Sequence, residues 1–145
     1  MLPRFTHLLI PIDAVVKNSA VVDISFELAV ANNARVSLLH VIQKIESGDD
    51  LPDSESERFY ESVRQRVEGD LDHLSQRFLE AKLNVEAKVR IGDVLHEIDD
   101  FTRSRQVDLI VMRSHRVDPQ KLAATWGTLS YKVSVICPCP ILLVK

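Results

Sequence analysis

His7-Leu8-Leu9-Ile10-Pro11-Ile12-Asp13 is the stretch on which the reading of the chain turns. Its apolar residues follow one another without alternation and stop at a carboxylate. A run of that length suits a strand covered on both faces. Pro11 has no N–H and limits how far a ladder can continue there. Downstream, Asn18 or Ser19 can accept a free amide bond and cap a helix reaching about Asn32. Val22, Phe26, Ala29 and Val30 are expected on one face of it.

The same alternation of apolar run and helical period recurs to the end of the chain. Residues 36–42 read as a second strand. The acidic stretch 46–57, with Gly48 and Pro52, reads as a loop. A long helix is expected over 57–82, with Phe59, Val63, Val67, Leu71, Leu74 and Phe78 on its buried face. Val85, Ala87, Val89 and Ile91 alternate with Glu86, Lys88 and Arg90, a strand nearer a sheet edge. Asp93 can cap a helix over 94–105 that turns Leu95, Ile98 and Phe101 inward. Residues 107–112 form the fourth strand, and 113–122, with Pro119, an irregular segment. A fourth helix ends before Pro138, with Leu129, Val133 and Ile136 inward. Residues 141–144 are the last strand. The order β-α-β-α-β-α-β-α-β implies parallel neighbours joined by helical crossovers, one α/β domain over residues 1–145. Ligands of such sheets bind beyond the carboxyl ends of the strands, after Asp13, Ile42, Gly92 and from Arg113 onward.

Composition narrows the class. The chain has 145 residues, 46% hydrophobic and 27% charged, the balance of a globular protein with a sizeable core. A net charge of −3 argues against a nucleic-acid or anionic-membrane partner. No apolar run approaches the roughly 20 residues of a membrane-spanning helix. The first residues lack a secretory pattern, so a cytoplasmic address is expected. Cys137 and Cys139, in Cys-Pro-Cys-Pro, read as packing residues at a strand entry. No group of His, Cys, Asp or Glu has metal-ligand spacing. Ser114 lacks the Gly-x-Ser-x-Gly setting of a nucleophile, and no carboxylate or serine near His115 in sequence completes a catalytic set with it. No enzymatic activity is expected. His40 reads as a packed, hydrogen-bonded histidine, and Trp126 as a helix-start residue.

Several of these strands carry a shared pattern. Leu8-Leu9-Ile10-Pro11-Ile12-Asp13, Leu38-Leu39-His40-Val41, Val107-Asp108-Leu109-Ile110-Val111-Met112, Gly127-Thr128 and Cys139-Pro140-Ile141-Leu142-Leu143-Val144 together resemble the universal stress protein family, in the right order over essentially the whole chain. The resemblance implies a five-stranded parallel sheet of order 3-2-1-4-5 with helices on both faces, a Rossmann-like fold. It also implies a homodimer paired through the last strand. One branch of the family binds ATP, which points to ATP or AMP as the ligand. On this resemblance Asp13 and backbone at Val41 take the adenine side, and Met112, Arg113, Arg116, Gly127 and Thr128 the phosphate side. The chain departs from the family's Gly-x-x-Gly, nine residues, Gly-Ser/Thr pattern. Arg113 and Arg116 stand at the two leading glycines, and the spacing to Gly127 is one residue longer. Glycine there lets backbone amides approach phosphate. Arginines either fill the pocket or bind phosphate themselves through bidentate bonds. The functional expectation is a regulatory stress protein with an adenine-nucleotide pocket altered in its phosphate half. The alternative is a nucleotide-free stress protein that acts through dimerisation and protein partners.

Overall fold

A computed structural model of the chain describes residues 4–13, 18–44, 53–114 and 128–145. Five strands, β1 (His7–Pro11), β2 (Arg35–Gln43), β3 (Val85–Gly92), β4 (Leu109–Arg113) and β5 (Ile141–Val144), form one sheet of order β3-β2-β1-β4-β5. Every pairing is parallel. The α/β class, the strand order and the edge position of β3 are as expected. The helices are α1 (Ser19–Asn32), α2 (Asp53–Glu80), α3 (Val94–Ser104) and α4 (Leu129–Ile136).

The continuous apolar runs are explained by two covered faces. Leu8, Ile10, Val36, Leu38, Leu109 and Val111 pack with Val21, Val22 and Ala29 of α1 and Val67, Leu71 and Phe78 of α2. Leu9, Leu39, Val41, Ile110 and Met112 point the other way, onto Ile98 and Phe101 of α3 and Val133 of α4. Successive strand residues alternate faces, so a strand buried on both must be apolar throughout.

The helices depart from expectation in instructive places. Asn18 stands at the start of α1, but its side chain makes no cap bond there. Val30 is half exposed, at 50%, because the buried arc of α1 runs through Val21, Val22, Ser25 and Ala29. Asn33 ends the helix in the left-handed region, φ 50°, with its N–H shared between the Ala29 and Val30 carbonyls, a role asparagine tolerates well. Helix α2 begins at Asp53, so residues 53–57 are helical rather than loop; the rest of the acidic stretch lies outside the described residues. At about 42 Å, α2 is much longer than β3, at about 26 Å. Its first turns run past the strands, which leaves Phe59 exposed. Ile136 is also exposed, at the last turn of α4. Strand β4 starts at Leu109, not Val107; Asp108 instead accepts hydrogen bonds from the start of β1.

Candidate functional site

The carboxyl end of β1 is loosened from both neighbours. On the β4 side the register runs Leu8↔Leu109, Leu9↔Ile110 and stops. The next rung would need an N–H from Pro11, which has none. On the β2 side the register ends at Pro11↔Leu39. One further bond follows, from the Ile12 N–H to the Leu39 carbonyl at 2.8 Å. The Ile12 carbonyl accepts from the imidazole Nδ1 of His40 at 2.7 Å. Asp13 then leaves the sheet, and the Asn18 side-chain amide donates to its carbonyl at 2.8 Å. That contact, rather than a helix cap, is what Asn18 contributes.

A cleft of about 220 Å³ opens at this point. Pro11, Ile12, Asp13 and Asn18 line it from β1 and the start of α1. Leu39, His40 and Val41 line it from β2, and Met112 and Arg113 from β4. Val94 and Ile98 of α3 and Leu129 of α4 complete the wall. The location follows from topology: β1 has neighbours whose connections leave on opposite sides, and the crevice at such a switch point is open.

Local chemistry places the apolar wall. Asp93 caps α3, its carboxylate accepting the His96 N–H at 2.9 Å. The Gln43 side-chain oxygen at the end of β2 accepts the Val94 N–H at 3.3 Å. Val94 and Ile98, one helical turn apart, both line the cleft. Thr128 caps α4, its hydroxyl accepting the Tyr131 N–H at 3.3 Å, one residue before the cleft-lining Leu129.

Asp13, Val41, Met112 and Arg113 therefore line one cleft. Thr128 is not among the lining residues and precedes Leu129 in sequence, and Arg116 and Gly127 lie outside the described residues, as do His115 and Trp126. Asp13 is exposed, Val41 nearly buried and Arg113 half-buried. Asp13, Asn18, His40 and Arg113 are set among apolar lining residues, as in small-molecule sites with a few placed polar groups. Sequence reasoning missed Asn18, Val94, Ile98 and Leu129 as parts of the site, together with the strand residues Pro11, Ile12, Leu39 and His40, the last read only as a packed, hydrogen-bonded histidine. The turn-apart spacing of Val94 and Ile98 marks an apolar face, but not that the face borders a cleft.

A serine, a histidine and a glutamate also meet at the opposite end of the sheet. His7 Nε2 lies 2.7 Å from the Ser37 hydroxyl, which lies 3.0 Å from Glu86. This grouping lacks the order of a nucleophilic triad. The other imidazole nitrogen donates to the Arg105 carbonyl at 3.0 Å, so no carboxylate orients it. Ser37 is fully buried. Neither cysteine is poised for chemistry: burial pushes the Cys137 thiol up to about 11 and raises Cys139 as well, whereas reactive thiols are lowered. Among the described residues no group of three His, Cys, Asp or Glu side chains could hold a metal, and no helix is long and apolar enough to cross a membrane.

Comparison with known proteins agrees with this architecture. The structure is similar to the universal stress protein UspA from Lactobacillus plantarum, with a TM-score of 0.73, 19% identity and coverage of 98% of this chain and 99% of that one. It is also similar to a universal stress protein from Archaeoglobus fulgidus in complex with dAMP, with a TM-score of 0.62, 14% identity and coverage of 97% and 98%. In sequence, the chain is 26% identical over 148 residues to the universal stress protein YxiE of Bacillus subtilis (strain 168), covering 97% of this chain and 99% of that protein. The model of the universal stress protein family matches residues 4–145, and on that nearly complete match the chain belongs to the universal stress protein family.

Proposed function

We propose that this chain is a regulatory, non-enzymatic stress protein, a single cytoplasmic domain that binds an adenine nucleotide, AMP or ATP, in the cleft between β1 and β4. The carrying observation is the convergence of Asp13, Val41, Met112 and Arg113 on one lining. A relative of the same fold is known in complex with dAMP. At about 220 Å³ the cleft is smaller than the roughly 300–1,000 Å³ of sites that enclose a whole drug-sized ligand. It suits the base and part of the ribose, with Asp13 and Val41 on that side. The phosphates then extend toward Arg113, Arg116, Gly127 and Thr128. There, guanidinium charge and the amino end of α4 replace a backbone nest.

Calorimetric titration of AMP, ATP and inorganic phosphate at low and moderate salt tests this. Adenine nucleotide should bind, more weakly as salt rises. Arg113→Ala with Arg116→Ala should weaken it about tenfold per arginine lost. No nucleotide or anion binding at millimolar concentration overturns the reading.

A second reading, action through dimerisation and protein partners, is favoured by the free edge of the sheet. Strand β5 is an edge strand, and Leu142 and Leu143 are each 39% exposed. Val135 and Ile136 of α4 are exposed as well. An apolar edge of this kind invites pairing with a second copy across a two-fold axis. Light scattering at micromolar concentration should give a homodimer, and Leu142→Asp should dissociate it. A monomeric unaltered chain overturns the dimer.

A further inference from the structure

We propose that His40 is a positioning residue of the cleft: its imidazole holds the Ile12 carbonyl turned away from the Val41 N–H, so the last rung of the β1–β2 ladder does not form and the Val41 N–H stays open to a bound base. The inference deepens the nucleotide reading and rests on it for the identity of the ligand. The hydrogen-bond arrangement stands independently of any ligand.

In a parallel pair, the N–H and C=O of one residue point to the same neighbour, and successive residues alternate. The Ile12 N–H donates to the Leu39 carbonyl, so Leu39 and, two residues on, Val41 both face β1. The rung that continues this pattern runs from the Val41 N–H to the Ile12 carbonyl. It is absent: the paired register stops at Pro11↔Leu39. The Ile12 carbonyl is bonded instead to His40 Nδ1, at 2.7 Å, the short end of the N–H···O range. Among the described residues the Val41 N–H has no acceptor, and Val41 lines the cleft.

The imidazole works from behind. Leu38 faces the α1 and α2 layer, and His40, two residues on, faces the same way. Leu39 and Val41 face the α3 and α4 layer, where the apolar wall of the cleft lies. The carbonyl is an acceptor only, so Nδ1 must carry a hydrogen. Both the neutral ring with its hydrogen on Nδ1 and the charged ring meet that need. An unpaired amide beside an apolar wall is costly unless something accepts from it. A ring nitrogen of a heteroaromatic base supplies that acceptor. Pro11 releases β1 from β4, and His40 releases it from β2 one residue later.

Amide hydrogen exchange by NMR on the full chain tests the arrangement without ligand. In the unaltered protein the Val41 amide should exchange much faster than Leu39, its ladder-bonded neighbour. In His40→Gln and His40→Leu the freed Ile12 carbonyl should capture the Val41 N–H, slowing its exchange about tenfold or more, and adenine nucleotide should bind about tenfold more weakly. His40→Asn, whose amide nitrogen sits where Nδ1 does, should keep fast Val41 exchange and unaltered binding. A protected Val41 amide in the unaltered chain overturns the proposal, as does unchanged exchange in both the Gln and Leu variants. Should His40→Leu fail to fold, the Gln and Asn pair decides. If the unaltered chain binds no nucleotide while Val41 responds as stated, the ligand reading falls and the role of His40 stands. If binding is lost while Val41 exchange stays the same, the reverse holds.

Discussion

The two edges of the sheet are made by the same strands and treat polar groups in opposite ways. At the amino edge a set of polar side chains is used up on the protein itself. His7, Ser37 and Glu86 form a chain across β1, β2 and β3, with Arg35 and Arg105 on the Glu86 carboxylate at 3.1 and 3.3 Å. Asp108, just before β4, accepts from the Thr6 N–H, the Thr6 hydroxyl and the His7 N–H at 2.8–2.9 Å. At the carboxyl edge, Pro11 and His40 remove rungs instead of adding them, and Arg113 at the end of β4 has no ion pair among the described residues. The contrast separates two jobs. One edge holds strand order and register; the other is left able to meet something from outside. Buried polar networks rigidify only when fully satisfied, and the closed edge meets that condition.

The largest expected effect comes from breaking the closed edge. His7→Ala removes a buried ring, leaves the Arg105 carbonyl without its donor and leaves the Ser37 hydroxyl with Glu86 alone. A loss of about 3 kcal/mol of unfolding free energy is expected, from lost volume plus the unpaired carbonyl. Asp108→Ala removes an acceptor serving two backbone amides and a hydroxyl. It should cost about 2 kcal/mol. Urea denaturation with unchanged slope checks both. A change under 0.5 kcal/mol in either variant would mean that the closed edge does not hold the fold.

Much of the open edge was legible in the sequence and little of the closed one. Asp13 and Arg113 end strands whose apolar runs are unmistakable, so they can be placed at the carboxyl edge before any pairing is known. The Ser37, Glu86 and Arg105 partners of His7 lie 30, 79 and 98 residues away from it, and only register brings them together. Glu86 and Arg105 read alone as surface charges. Asp108 reads as an interruption of an apolar run and turns out to be a clamp. Val41 could be assigned to the site by family resemblance, but its open amide depends on where β1 stops relative to β2. Phe59 fits the helical period of α2 perfectly well. It is exposed because the helix outruns the sheet, which periodicity does not encode.

A pH titration probes the closed edge more gently. Burial, first, and the Arg35 guanidinium push the His7 imidazole below its ordinary value, against the upward pull of the Arg105 carbonyl, Glu86 and Asp108. Burial opposes the ionisation of Glu86, but the Ser37 hydroxyl, Arg105 and Arg35 outweigh it and hold the carboxyl low. The single Ser37 hydrogen can serve Glu86 when His7 is charged or His7 when it is neutral. The unfolded chain therefore binds the His7 proton more readily than the folded one. His7 contributes stability that is full above about pH 6.5 and is lost as pH falls from there toward its lower folded value. Glu86 and Asp108, both lowered, give up their contribution further down, as pH falls through and below about 4. The unaltered chain should lose stability between pH 7.5 and 5.5 by less than His7→Ala costs at neutral pH, and His7→Gln should flatten that interval while keeping the acid limb. An identical slope in His7→Gln would assign the loss to other groups.

The smallest expected effect lies at the far end of β4 from Asp108. Arg113→Ala removes a half-buried side chain that lines the cleft and forms no ion pair among the described residues. The backbone there stays paired: Arg113 is in register with Val144, and the Ser114 N–H donates to the Val144 carbonyl at 2.7 Å. Unfolding free energy should change by no more than about 0.5 kcal/mol, against about 2 for Asp108→Ala five residues earlier on the same segment. Thermal stabilisation by adenine nucleotide should shrink in the same variant, since a ligand contact raises stability only in proportion to its binding. A large intrinsic loss in Arg113→Ala would make this residue part of the fold's own bracing. The carboxyl edge would then be closed like the amino edge, with its charge committed to the protein and not to a ligand.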